Sequence, residues 1–522
     1  MMRKKGLMKY RNLACAVLLG LFVFIAHAMA QTPKSRAGQR PTPKSTPSAR
    51  PGATPAPKKT ATTAPPPGAL AIVNGQTITL ADLEPKVREV VEGFDKNMPQ
   101  LRRDALDARI NTILLESEAQ KRKVTGDQLM DAEVNSRITE PTEAEIKAVY
   151  DANKQQIGNA DIAAVRPQIA NYLRTQAGQK LANEFIGRLR ASHSVVKGTM
   201  DVNAPNLQPT SVLATVDGRA ITASDFEERL KPFVYKVRRE IFNAEARAVD
   251  MKINQLLLEA EAKKRNLTPD NLFKVEVADK VREPTDAEVT KFYEDNKGRI
   301  QGTLASVRGD IAGLLRDQQI SRLESEFAQR LRAGATLQNF LIEPEPPVLA
   351  ISADDDPSRG DKAAPVTVVV FTDFQCPSCA AMHPVIDETL KIYGNRVRLV
   401  VRDFPLVIHA QARKAAEAAN AANAQGKFFE YITVLFKNQT ALDVASLKKY
   451  ATDLGLARAQ FDAALDSGQY AAEVNNDLED GEAYGVDATP TIFINGVLLR
   501  NLTAEGLRTA IDRALASKTA SR

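Results

Sequence analysis

Apolar and polar positions alternate in the same way twice along the chain. Leu70-Ala71-Ile72-Val73-Asn74-Gly75-Gln76-Thr77-Ile78-Thr79 returns as Leu213-Ala214-Thr215-Val216-Asp217-Gly218-Arg219-Ala220-Ile221-Thr222, at an offset of 143. A short apolar run, an Asn-Gly or Asp-Gly pair and a second short run predict a hairpin at the start of each copy. Helices follow. Ile110, Ile113 and Leu114, and again Ile253, Leu256 and Leu257, recur at i, i+3, i+4, the spacing of one buried helical stripe. Pro141-Thr142-Glu143 and Pro284-Thr285-Asp286 read as helix starts, with Pro or Thr before acidic first-turn residues. A long charged helix closes each copy, near Leu189 and Leu331. Farther on, Val366 to Phe371 is a continuous apolar run that predicts a buried strand, and Ala380 to Tyr393 returns to helical spacing.

The ends of the chain differ from this middle. Arg3, Lys4, Lys5, Lys9 and Arg11 precede an apolar run from Leu13 to Ala26, and Ala28-Met29-Ala30 fits a processing site. This is the order of a secretory signal, and the run is shorter than the ~20 residues a spanning helix needs. An uncleaved anchor is the alternative. Residues 31–68 hold ten of the 28 prolines, among Thr, Ala, Ser, Lys and Arg, a composition that cannot bury a core and predicts an extended, disordered linker. The divisions are then a signal peptide (1–30), a Pro-rich linker (31–69), two helical repeats (70–200 and 210–345) and a C-terminal domain (350–522).

Charge changes the picture only once it is divided. The net +6 comes from the tail: residues 1–69 carry twelve Lys and Arg and no acid, while the remainder carries 58 basic against 64 acidic residues. With no Trp and 6% aromatics, a basic or stacking nucleic-acid surface is not expected. A soluble protein of an extracytoplasmic compartment is.

The opening "VNG..I" ("VDG..I" in the second copy), the "LL..EA.KR" helix and the "PT..E....Y" helix resemble the N-terminal chaperone region of SurA-type folding factors. The resemblance covers most of residues 70–345 and implies mainly α-helical domains that cradle unfolded chains. Helical spacers or dimerisation arms are the alternative. The prolyl-isomerase domain usual in that family has no room here, and its His-rich site is absent from the region, so no prolyl isomerase activity is expected.

The candidate chemistry lies after the apolar strand. Cys376-Pro377-Ser378-Cys379 sits where that strand hands over to a helix. Orphan N–H groups and the helix dipole favour an anion there, so the Cys376 thiolate is expected below the free value of ~8.5. Pro377 suits the first turn, where its missing N–H costs nothing. Cys376 is expected to be the attacking thiol and the deeper Cys379 the resolving one, the two forming a redox disulfide. Zinc wants four ligands; with no second Cys-x-x-Cys, and only His383 and His409 nearby, no metal and no cofactor are expected. His383 reads as a helix-surface or rim residue.

Downstream, Thr489-Pro490 precedes another strand and an Asn495-Gly496 turn. Together with "FTDFQCPSC" (371–379), "FPL" (404–406), His409, "AAEAA" (415–419), "QGKFFEY" (425–431) and "LFKNQ" (435–439), this resembles the DsbA family of thiol-disulfide oxidoreductases over residues 350–517. The resemblance implies an α/β thioredoxin fold with a helical insertion, at about His409 to Tyr484. It also implies a cis Pro490 facing the cysteines, Thr489 exposing its backbone to substrate, and Pro377 and Ser378 contacting substrate between the thiols. The family often carries a buried Glu where this chain has Val370, which leaves Asp373 or water to move the proton. Implied partners are unfolded or reduced secreted proteins and a membrane quinone-linked reoxidant of the DsbB or VKOR type. The direction of electron flow, oxidase or reductase/isomerase, stays open, as does a homodimer; a mainly client-binding chaperone with a vestigial redox domain is the other alternative.

Overall fold

The computed structural model describes residues 65–520 except 159, 299, 354 and 355; the proposed signal peptide and nearly all of the linker lie outside the described residues. In chain order the first copy comprises strands β1 (Ala69–Val73) and β2 (Gln76–Thr79), helices α1 (Pro85–Arg122), α2 (Gly126–Glu133), α3 (Glu143–Ala152) and α4 (Ile162–Ser192), and strand β3 (Val195–Lys197). The second repeats the order as β4 (Val212–Val216), β5 (Arg219–Thr222), α5 (Ala223–Lys264), α6 (Pro269–Glu276), α7 (Asp286–Asn296), α8 (Leu304–Ala333) and β6 (Leu337–Asn339).

The duplication extends to individual bonds. Thr142 caps α3 and exchanges hydrogen bonds with Glu145; Thr285 and Glu288 do the same for α7. Each box satisfies two orphan amides reciprocally. Tyr150 donates to the Ala160 carbonyl and Tyr293 to that of Gly302. Arg190 reaches Asn111 and Asp107, and Arg332 reaches Asn254 and Asp250.

Strand pairing crosses the copies. The β1–β2 hairpin takes β6 as its third strand, with Val73 opposite Leu337, whereas β4–β5 takes β3, with Val216 opposite Val195. The helical stripes follow. Ile110, Ile113 and Leu114 are buried with Leu213, Val216 and Ile221 of the second hairpin. Ile253 and Leu257 are buried with Ala71, Val73 and Ile78 of the first. The described chain accordingly falls into two compact units that do not follow the copies. One contains Leu101–Arg238 with Pro344–Arg522, and the other Arg239–Glu343 with the described residues up to Gln100.

The turn residues explain why these hairpins close. Asn74 and Asp217 take φ of 49° and 48°, the left-handed conformation that Asn and Asp tolerate, each before a Gly with positive φ. Their side chains also grip the third strand's end. Asn74 Oδ1 accepts from the Thr336 N–H at 2.9 Å, and Asp217 Oδ1 from the Ser194 N–H at 2.9 Å.

The C-terminal part is an α/β thioredoxin fold. Its sheet is ordered β11 (Val497–Leu498), β10 (Thr491–Ile494), β8 (Val366–Thr372), β9 (Val397–Asp403), β7 (Ser358–Arg359), with β8 and β9 parallel and the other pairs antiparallel. Helix α9 (Pro377–Lys391) joins β8 to β9. The apolar run of β8 has no polar face because both faces are covered. Val366, Val368 and Val370 join one core, and Val369 and Phe371 the other. Gly496 lies under Leu349, whose carbonyl would be 2.0 Å from an added Cβ, so the Asn495-Gly496 turn admits no larger residue.

Between β9 and β10 stand α10 (Ala412–Asn423), α11 (Phe428–Lys437), α12 (Val444–Asp453), α13 (Arg458–Ser467) and α14 (Ala471–Ala483). This is the helical insertion, within a few residues of its expected limits. Ala415, Ala418, Ala419 and Ala422 let neighbouring helices approach α10 closely, around Tyr431, Leu435, Leu447 and Phe461. Helix α15 (Ala504–Ala520) closes the fold and packs on α9. None of the described helices is long and apolar enough to cross a membrane.

Candidate active site

Strand β8 delivers Asp373 to Gln375 as a short loop, and Cys376 becomes the N-cap of α9, with Pro377 at its first position. The Cys379 and Ala380 amides both donate to the Cys376 carbonyl, at 3.1 and 3.2 Å, so the first turn wraps the second thiol inward. Cys376 is 7% exposed and Cys379 2%. Both are free thiols.

The Thr489–Pro490 peptide bond is cis, and the Thr489 carbonyl accepts from the Cys376 thiol at 3.4 Å. Sequence-distant Thr489 and Pro490 thus meet the cysteines. Pro377 and Ser378 stand exposed at the helix start beside them.

The pair is electrostatically unequal. A hydrogen bond from Cys379 does most to pull the Cys376 thiol down to about 5; burial opposes it, and the Thr489 side chain and the Cys379 and Ser378 N–H groups assist. The helix start contributes as expected, yet the neighbouring thiol contributes more. Cys379 is pushed far up, first because its proton is shared with Cys376 and then by burial, against smaller lowering by the Thr372 hydroxyl and the Asp373 N–H.

Asp373 is buried, and its carboxylate faces three donors. Oδ1 accepts from the Gln375 N–H at 2.7 Å, while Oδ2 accepts from the Leu406 N–H at 2.8 Å and lies 2.7 Å from His409 Nδ1. The group that meets the Cys379 sulfur is its backbone N–H. Asp373 therefore ties the cysteine loop to the segment after β9, where Val407 and Ile408 are 77% and 83% exposed. Gln439 fastens the loop from the other side, its Nε2 donating to the carbonyls of Phe374 (3.0 Å) and Cys376 (2.8 Å). Gln375 Oε1 accepts from the Gln411 N–H at 2.9 Å. Gln439, His409 and Gln375 all stand inside recognisable motifs, but nothing in the order of residues assigned them this bracing role.

His383 departs from its expected place on the rim. Its side chain is 15% exposed, stacked on Phe436 with ring centroids 4.9 Å apart, and burial lowers its pKa. Among the described residues, Asp356, Glu473 and Asp477 bring carboxylate oxygens close enough to share a cation. Arg402 already lies among them, at 3.0 Å from Asp356 and 2.6 Å from Asp477, with Asp480 at 3.0 Å.

A parallel strand pair, a Cys-Pro-Ser-Cys helix start and a facing cis Pro define a thioredoxin-fold domain, and residues 352–513 match the family described as thioredoxin. Among curated proteins, the chain is 37% identical over 168 residues to the Na(+)/H(+) antiporter NhaA 1 of Mycolicibacterium vanbaalenii, a match covering 31% of this chain and 27% of that protein. It is 38% identical over 180 residues to NhaA 3 of Salinispora tropica, covering 34% and 27%. The chain thus spans about a quarter of the length of these relatives. Among solved structures it is similar to oxidised BdbD from Bacillus subtilis, at 24% identity and a TM-score of 0.30, covering 33% of this chain and 96% of that one.

Proposed function

We propose that this protein is an extracytoplasmic thiol-disulfide oxidoreductase of the DsbA kind, exchanging disulfides with cysteines of unfolded or reduced secreted proteins through Cys376 and Cys379. The observation that carries the reading is the split pair: a Cys376 thiol drawn to about 5, beside a Cys379 thiol that keeps its proton. At neutral pH the first is a thiolate ready to attack or leave, and the second waits to resolve the mixed disulfide. Thr489 presents its carbonyl at the same point, where an extended substrate segment would pair, and Pro377 and Ser378 border the approach.

A low-pKa thiolate stabilises the dithiol form and makes the disulfide more oxidising, which favours the oxidase direction. Regeneration would then fall to a membrane quinone-linked partner of the DsbB or VKOR type. The two SurA-like copies would hold the client while the chemistry proceeds, and the tail before residue 70 would direct export. Redox titration of the Cys376–Cys379 pair against glutathione tests the direction. A potential near DsbA's, about −120 mV, supports the oxidase; one near thioredoxin's, about −270 mV, supports a reductase or isomerase.

A further inference from the structure

Disulfide exchange at this site has a buried proton to move. Cys379 is 2% exposed, and its sulfur must lose a proton when it attacks and regain one when it leaves. It lines a cavity of about 20 Å³, enough for one water, together with Thr372, His383, Phe436 and Pro490. Besides Cys379, His383 is the one titratable side chain on that wall.

The placement follows from the helix. His383 stands four residues after Cys379 on α9, so the two share a face. Its Nε2 lies 3.2 Å from Thr433 Oγ1, and the Thr433 hydroxyl donates its own proton to the Phe429 carbonyl at 2.8 Å. Thr433 can therefore only accept from Nε2–H, which leaves Nδ1 as the ring's proton acceptor. Asp387 Oδ2 is 3.7 Å from the same Nε2 and is itself ion-paired to Arg359. These two are the charged groups acting on the ring; α11 contributes Thr433 and Phe436. Burial outweighs Asp387 and lowers the imidazole's pKa, which favours the neutral form able to take a proton.

We propose that His383, oriented by Thr433 and Asp387, is the proton acceptor and donor for Cys379 through a single water in this cavity. The proposal rests on the thiol-disulfide reading. In the reductive direction the Cys379 thiol gives its proton through the water to Nδ1, and its sulfur attacks Cys376 Sγ of the mixed disulfide. The Cys376–Cys379 bond forms, the bond to the client breaks, and the client leaves as a thiolate. In the oxidative direction a client thiolate attacks Cys376, the Cys376–Cys379 bond breaks, and Cys379 takes the proton back from the imidazolium.

Ellman's reagent resolves the steps on the full chain. Its reaction with reduced protein releases one thionitrobenzoate as Cys376 is captured and a second as Cys379 displaces it. His383→Gln should leave the first phase unchanged and slow the second about a hundredfold or more at pH 7, the usual range for general acid–base groups. The second phase should also lose an inflection that lies below the ordinary imidazole range. Thr433→Val keeps the ring but frees its tautomer, and should displace the same inflection. A second phase with the parental rate and pH profile in both variants overturns the proposal. Failure of the parent protein to release a second equivalent overturns the thiol-disulfide reading itself, and this inference with it.

Discussion

At the scale of single residues the site is a set of unequal protons. Cys376, drawn to about 5, should react with iodoacetamide along a curve with its midpoint near that pH, while Cys379 stays unlabelled well above neutrality. Mass spectrometry of the labelled peptides checks this, and labelling of Cys379 first would reverse the assigned roles. Cys379→Ala should accumulate mixed disulfides with client proteins, seen as bands that vanish on reduction, and Cys376→Ala should accumulate few. Asp403 offers a different proton. Burial, with Asp477 adding to it, pushes its carboxyl up to about 8, against an ordinary value of about 4. The folded state thus holds a proton that the unfolded chain releases. The stability this contributes is complete below pH ~4 and lost as pH rises through about 8. Asn420 Nδ2 donates to Asp403 Oδ2 at 2.6 Å, and an amide oxygen can accept the same bond. Asp403→Asn should therefore lose less stability than the parent between pH 6 and 9 in urea titrations; a parallel loss would place the titration elsewhere. The cysteines and Thr489-Pro490 were legible in the sequence as candidates because the proposed chemistry requires fixed residue types. Gln439, His409 and the inward turn of His383 were not, since each depends on which distant segment of the chain packs beside it.

At the scale of elements, the hairpins, caps and helical stripes were readable because each is decided within a few residues. Strand partnership was not. The opening hairpins are nearly identical in pattern, and a third strand ending either copy satisfies the same period-two alternation. Only the tertiary structure reveals that β1–β2 pairs with β6 and β4–β5 with β3. Asn74 is the local guarantor of the first pairing. Asn74→Ala removes the bond to the Thr336 N–H and places a Cβ-bearing, non-Asn residue at φ 49°. It should destabilise that unit by about 1–2 kcal/mol. The Thr336 amide should exchange faster with deuterium, while amides of the thioredoxin-fold sheet keep their protection. Asn74→Gly should recover the backbone part of the loss but not the hydrogen bond.

At the scale of the whole molecule, the proposed holding of clients and the proposed exchange of their disulfides should be separable. The full chain carrying both Cys376→Ala and Cys379→Ala should still suppress light scattering by an unfolding client that lacks cysteine. Loss of suppression with the fold intact would leave the copies as spacers or dimerisation arms. The crossed strands also bear on how the chain is made. The sheet of β3, β4 and β5 joins segments about 20 residues apart and can close soon after they emerge from the ribosome. The first hairpin must wait for β6, about 260 residues later, which at 5–20 residues per second is roughly 13–50 s of synthesis. Throughout that interval the earliest-made strands carry an open edge, so the protein proposed to shelter unfinished chains is, during its own birth, one of them.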